Sequence, residues 1–311
     1  MATRHHPLAR QAARGPRKAG GGKLSVALFL GALLLVACRR DTKKPVRIVP
    51  LEGESAVLPM AAIQPQSAAS LPEHLHVTAA GKPRTFLLIP PPVAVPGRSY
   101  PLVLVFHGDG GTADSLHGAW AFERGSGAGA FVVYLDGRGA TWDLETLNDN
   151  ADLAFVDAVV KTLEAEFPID PTHVFATGYS SGGFFANVLA CHRPGLLRAI
   201  ASNAGGAPYN QATTWSNGFP KCPGQEPVAM LALHGEQDYG VTLDSGRFSA
   251  EYWAYVDGCT TDEMEPTGYA ECRAYRGCKP GKAVAFCAIP SLGHWVWDHA
   301  AEATWAFFMR Q

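Results

Sequence analysis

The chain has 311 residues, 47% of them apolar, with 28 acidic residues against 26 basic ones and a formal net charge of −2. That length allows one large domain or two small ones, and the lack of a basic excess argues against a nucleic-acid partner. The 33 glycines and 23 prolines suit a globular protein with many connecting loops.

Arg4, Arg10, Arg14, Arg17, Lys18 and Lys23 form a basic lead, and Leu24 to Ala37 is apolar without a charge. This pattern predicts a secretory signal over residues 1–37. It falls short of the about 20 residues that span a membrane. The segment ends Leu35-Val36-Ala37-Cys38, which resembles the lipobox of bacterial lipoproteins. The resemblance implies an exported protein of the cell envelope, lipidated at Cys38 and held at a membrane surface rather than threaded through it. Residues 38–70, rich in Pro, Ala, Ser and Gln, read as a flexible tether. The folded domain is expected over 71–311.

Within it, Arg84 to Ile89 reads as a strand closed by Pro90-Pro91-Pro92. Pro101 to Phe106 and Phe131 to Leu135 are continuous apolar runs, the mark of parallel strands buried on both faces. The first ends in His107-Gly108-Asp109-Gly110-Gly111 and the second in Asp136-Gly137-Arg138-Gly139. Asn150 to Phe167 has helical periodicity, with Asp149, Asp152 and Asp157 at or near its start, where the helix dipole favours carboxylates. His173 to Thr177 reads as a strand that breaks at Gly178, and Phe184 to Ala190 as a helix. Further strands are expected at Ala199–Ser202, Val228–Leu233 and Val284–Ile289, and helices at Phe248–Val256 and Ala300–Met309. Alternating strands and helices predict an α/β fold with a doubly wound, mainly parallel sheet and one catalytic domain. In such sheets the chemistry collects beyond the carboxyl ends of the strands.

One of those ends reads Gly178-Tyr179-Ser180-Ser181-Gly182, a G-x-S-x-G turn between strand and helix. The turn forces Ser180 into a cramped backbone, and the two glycines let strand and helix approach closely. Ser180 is therefore the expected nucleophile. His294, in a glycine-containing loop after the last strand, is the expected general base, ahead of His107, His234 and His299. Asp238, just past the strand ending at Leu233, is the expected acid, ahead of Glu236 and Asp244. The order serine, acid, histidine is that of the α/β-hydrolase fold. The amide of Ser181, with an amide of Asp109 or Gly110, is expected to bind an oxyanion. Trp142, Tyr179, Trp295 and Trp297 are candidates for a substrate pocket, with packing in the interior as the competing role.

Seven cysteines include Cys38. The other six, Cys191, Cys222, Cys259, Cys272, Cys278 and Cys287, read as disulfides in an exported chain. Their clustering suggests Cys191 with Cys222, and the last four allow three pairings. The absence of C-x-x-C spacing argues against a zinc site.

Asp152-Leu153-Ala154-Phe155-Val156, Ile169-Asp170-Pro171-Thr172-His173-Val174 and Gly178-Tyr179-Ser180-Ser181-Gly182-Gly183 resemble the polyhydroxybutyrate depolymerase and feruloyl or acetylxylan esterase group of α/β-hydrolases. His107-Gly108, His234-Gly235 with Asp238, and Gly293-His294 fall where that group keeps its oxyanion loop, acid and base. The resemblance implies a serine esterase that cleaves carboxylic esters, polymeric ones included, through an acyl-enzyme and without a cofactor. Asp109 stands where many members have cysteine, and Trp295-Val296-Trp297 where many have Trp-Pro after the histidine; both departures bear on the substrate. The rival readings are a non-catalytic surface lipoprotein that binds a polymer or glycan on the same scaffold, and a serine peptidase of the same fold.

Overall fold

The computed structural model describes residues 72–311 apart from 128 and 210. The predicted signal segment, the lipidation site Cys38 and the tether lie outside the described residues. The first elements form a hairpin, β1 (Glu73–Ala79) and β2 (Lys82–Ile89), turned at Ala80-Gly81, where both residues have positive φ. The chain continues through β3 (Tyr100–Phe106), α1 (Ala113–Ala119), α2 (Glu123–Ser126), β4 (Phe131–Leu135) and α3 (Ala151–Glu166). Next come β5 (Ile169–Tyr179), α4 (Ser181–His192), β6 (Ala199–Asn203), β7 (Ala229–Gly235) and α5 (Leu243–Val256). The chain closes with β8 (Thr260–Pro266), β9 (Cys272–Arg276), β10 (Val284–Ile289) and α6 (Ala300–Phe308).

These strands make one ten-stranded sheet in the order β1-β2-β4-β3-β5-β6-β7-β10-β9-β8. From β4 to β10 every neighbouring pair is parallel, while β1, β2, β8 and β9 add antiparallel edges. The parallel strands are largely apolar where both faces are covered. Val156, Leu163, Phe185, Leu189, Tyr252 and Trp253 bring α3, α4 and α5 onto one face. Leu116, Ala300, Ala303 and Phe307 bring α1 and α6 onto the other. The sheet is thus doubly wound, and β3, β5, β7 and β10 all point their carboxyl ends the same way.

Periodicity located the parallel core but missed β1, β8 and β9. Their faces are only partly buried, so their apolar pattern is weak. The carboxylates near the start of α3 have more specific roles than a dipole contact. Asn150 caps the helix through bonds from the amides of Asp152 and Leu153, each 3.0 Å. Buried Asp152 receives Arg84 at 2.7 Å, tying α3 to β2, and Asp157 pairs with Arg193.

All six described cysteines are paired, as Cys191–Cys222, Cys259–Cys278 and Cys272–Cys287. Cys272 and Cys287 are register partners on β9 and β10, so the bridge staples the antiparallel β9–β8 pair to the parallel core.

Asp257, which follows α5, is fully buried. Its Oδ1 accepts the Val228 amide at 3.1 Å, and its Oδ2 has no partner among the described residues. Burial pushes its carboxyl up to about 8, against the smaller downward pull of the Val228 amide, Lys282 and Lys279. The folded protein therefore keeps this proton where the unfolded chain has shed it, and stability falls as pH rises from about 4 to about 8, with a slope of at most about 1.4 kcal/mol per pH unit. Asp257→Asn removes the titration. Urea unfolding across this window should show the variant gaining steadily on the native protein; a difference independent of pH would refute the assignment.

Candidate active site

Ser180 sits between β5 and α4 with φ 54° and ψ −120°, a strained conformation for a residue with a side chain. Its amide donates to the Asn203 carbonyl at 2.9 Å, and its own carbonyl accepts the Phe184 amide at 3.0 Å. The glycines either side are required by contact. A Cβ at Gly182 would strike the Phe106 carbonyl of β3, and one at Gly178 would strike the Gly182 backbone. Strand, turn and helix therefore close only with hydrogen at both positions, which presents Ser180 at the carboxyl edge of the sheet.

Two loops meet it there. The loop after β7 carries Asp238, whose Oδ1 accepts the Gly240 and Val241 amides, each at 2.9 Å. The loop after β10 carries His294. The two are held together where Glu236 donates its amide to Ile289 and Gln237 donates its amide to Leu292, at 3.0 and 2.9 Å. His294 Nδ1–H donates to Asp238 Oδ2 at 2.7 Å, and Ser180 Oγ lies 2.9 Å from His294 Nε2. The Asp238 side chain is fully buried, whereas the imidazole remains partly open to solvent. This is a continuous serine–imidazole–carboxylate chain, with the nitrogen facing the serine free to accept its proton. The rivals are elsewhere: Glu236 and Asp244 are exposed, and His299 caps α6 against Trp297.

His107 is a scaffold. Its Nδ1–H donates to the Gly108 carbonyl at 2.8 Å, and its Nε2 accepts the Gly137 amide at 2.9 Å. Burial pushes its imidazole down, which favours this neutral form. The bonds hold the glycine loop after β3 beside the nucleophile, where a Cβ on Gly108 would lie 2.8 Å from the Tyr179 ring and 3.3 Å from Ser180 Cβ. Gly110 is not available as an oxyanion donor, because its amide donates to the Ala140 carbonyl at 2.7 Å. The Asp109 amide has no acceptor among the described residues. Its carboxylate is turned to Thr141, whose hydroxyl donates to Oδ1 at 2.5 Å. Ser181, as first residue of α4, carries one of the helix amides that lack an intrahelical acceptor.

Of the four aromatic candidates for a pocket, two are interior. Trp142 is 3% exposed, stacks on Phe185 with ring centroids 4.7 Å apart, and donates its indole N–H to the His107 carbonyl at 2.8 Å. Trp297 is buried with its ring edge on Tyr269. Both follow from aromatic packing, which the local sequence does not distinguish from a pocket wall. Tyr179 and Trp295 do adjoin the site. Their rings meet edge to face at 4.9 Å, Trp295 is 43% exposed, and the Tyr179 hydroxyl donates to the His294 carbonyl at 2.8 Å. Phe184 and Tyr209, which the sequence pattern did not single out, form an edge-to-face pair on the α4 side of Ser180. Tyr239, between the acid and Gly240, is 91% exposed. Among the described residues no group of three or more His, Cys, Asp or Glu side chains is arranged to hold a metal ion.

A doubly wound sheet with its serine on the β5–α4 turn, an aspartate after β7 and a histidine after β10 defines an α/β-hydrolase. Known proteins agree. The sequence pattern of the prolyl oligopeptidase family matches residues 118–216. Feruloyl esterase C of Emericella nidulans is 30% identical over 247 residues, 73% of this chain and 84% of its own length. Feruloyl esterase B of Piromyces equi is 26% identical over 218 residues, 63% of this chain; the match takes in 40% of that longer protein. The solved acetyl xylan esterase from Aspergillus awamori shares the fold, with a TM-score of 0.57 at 18% identity over 76% of this chain and 99% of its own. The chain belongs to the α/β-hydrolase family of the feruloyl esterases.

Proposed function

We propose that this protein is a serine esterase that hydrolyses acyl esters of plant polysaccharide, feruloyl esters first among them. The observation that carries the reading is the unbroken hydrogen-bonded chain from Ser180 through His294 to Asp238. Ser180 Oγ attacks the ester carbonyl while His294 Nε2 takes its proton, and Asp238 stabilises the imidazolium that results. The oxyanion lies on the amides of Ser181 and Asp109, each worth about 3 kcal/mol to the transition state. The imidazolium then protonates the departing alcohol, and water repeats the sequence on the acyl-enzyme. No step calls for a cofactor.

Identity with the feruloyl esterases supports an aromatic acyl group, and exposed Trp295 and Tyr239 offer apolar surface beside the acid and base. The three disulfides support an exported enzyme, and the cysteine at the end of the apolar leader supports attachment to a membrane surface through lipid at Cys38.

Specificity constants for methyl ferulate, acetylated xylan, hydroxybutyrate oligomers and peptide anilides test the reading. The feruloyl ester is expected to lead. Preference for hydroxybutyrate oligomers would reassign the enzyme to polyester cleavage, and preference for the anilides would make it a peptidase. Folded protein that turns over none of them and resists a fluorophosphonate probe would be a binding module.

A further inference from the structure

The strand that delivers Asp238 carries a second histidine four residues earlier, next to its last residue. His234 is 1% exposed, on the face of β7 that packs against α5. Its Nε2–H donates to the Val241 carbonyl at 2.7 Å and lies 3.3 Å from Asp238 Oδ2. That oxygen is the one that receives His294. Its other nitrogen, Nδ1, is buried with no hydrogen-bond partner among the described residues, and α5 presents Gly246 to it so closely that a Cβ would strike the ring. The proton is therefore on Nε2, and the ring has no place for a second one.

We propose that His234 is a positioning residue for the acid of the triad: its single N–H bridges the Val241 carbonyl and Asp238 Oδ2, fixing the carboxylate plane in line with His294. The inference rests on the proposed acyl-transfer reading. The geometry leaves a gap that His234 fills. The Gly240 and Val241 amides pin Oδ1 alone, about which the carboxylate can still pivot. His234 closes that freedom from below, and His294 cannot do so by itself because it is the group that must be aimed. The charged groups facing His234 are Asp238 on its own loop and His294 from the loop after β10. Burial holds its imidazole down more strongly than the Val241 carbonyl and Asp238 draw it up, and His294 pushes it down further, so it stays a neutral donor through the working range. A donor on Oδ2 also withdraws part of the charge that Asp238 offers to His294.

The test labels Ser180 in the full chain with a fluorophosphonate across pH, and so needs no ester. His234→Phe fills the space against Gly246 without a donor; His234→Gln returns an N–H near Nε2. In His234→Phe the labelling rate should fall about tenfold. Its pH midpoint should rise by about half a unit, because Asp238 then gives its undivided charge to the imidazolium of His294. His234→Gln should recover most of the rate and the native midpoint. A folded His234→Phe that labels at the native rate with an unmoved midpoint overturns the inference. Should His234→Phe not fold, His234→Asn takes its place, since its amide stops short of Asp238. Slow labelling there with recovery in His234→Gln supports the bridge, and equal rates in the two overturn it. A native chain that does not label sinks the esterase reading and this inference together, whereas a labelled native chain with indifferent variants sinks the inference alone.

Discussion

Ser180→Ala should fold as the native protein does and lose about six orders of magnitude in kcat for ester hydrolysis. The fold is expected to survive because Ser180 is held through its backbone, by the Asn203 carbonyl and the Phe184 amide, and among the described residues its side chain bonds to His294 alone. Alanine also relieves none of the strain at φ 54°, so the turn keeps its geometry. What disappears is the oxygen aligned with His294 Nε2. Residual turnover would come from the oxyanion amides acting on water. Circular dichroism and thermal unfolding should be unchanged, and kcat on methyl ferulate should fall towards background with KM little altered. An alanine variant that keeps even a hundredth of the native kcat, free of contaminating esterase, would remove Ser180 as nucleophile.

Asp238→Asn should cost about four orders of magnitude in kcat, with a smaller loss of stability. The reason lies in which atoms face which partners. Oδ1 accepts two backbone amides, so the asparagine must keep its carbonyl oxygen there. The amide NH2 then occupies the place of Oδ2 and donates to His294 Nδ1. That histidine can no longer carry its proton on Nδ1; it carries it on Nε2, facing Ser180, and has no lone pair to accept the serine proton. The same NH2 would confront the N–H of His234, which then keeps the Val241 carbonyl but meets a second donor in place of Oδ2. Activity should return partly at high pH, where hydroxide can replace the missing base. Asp238→Asn within tenfold of native at neutral pH would show that the acid lies elsewhere, with Glu236 and Asp244 the next to test.

The chemistry at the site was legible wherever one residue type does a job that no neighbour can. Gly178 and Gly182 mark the turn because each position has backbone where a Cβ would be. The order of Ser180, Asp238 and His294 follows from strands delivering one loop each. The oxyanion loop was legible only as a stretch. Whether Asp109 or Gly110 offers its amide depends on the Ala140 carbonyl, thirty residues along, where the loop after β4 turns through a positive φ. The aromatic residues were least legible. Trp142 and Trp295 have the same chemistry, yet one is sealed against Phe185 and the other lies open beside Tyr179.

By itself, then, the sequence determined the doubly wound core, the strained turn and the three residues that the fold joins in one hydrogen-bonded chain. These are set by local pattern: apolar runs for strands covered on both faces, periodicity for helices, and glycine where nothing else fits. The tertiary structure alone decided the pairing of the last four cysteines, which of the Asp109 and Gly110 amides lacks an acceptor, which aromatic candidates lie beside Ser180, and the contact between His234 and Asp238. Each of these is a distance between segments far apart in the chain, or a bend that brings a strand end back on its own loop. No local spacing encodes it; packing of α5 against β7, and of the β10 loop against the β7 loop, does.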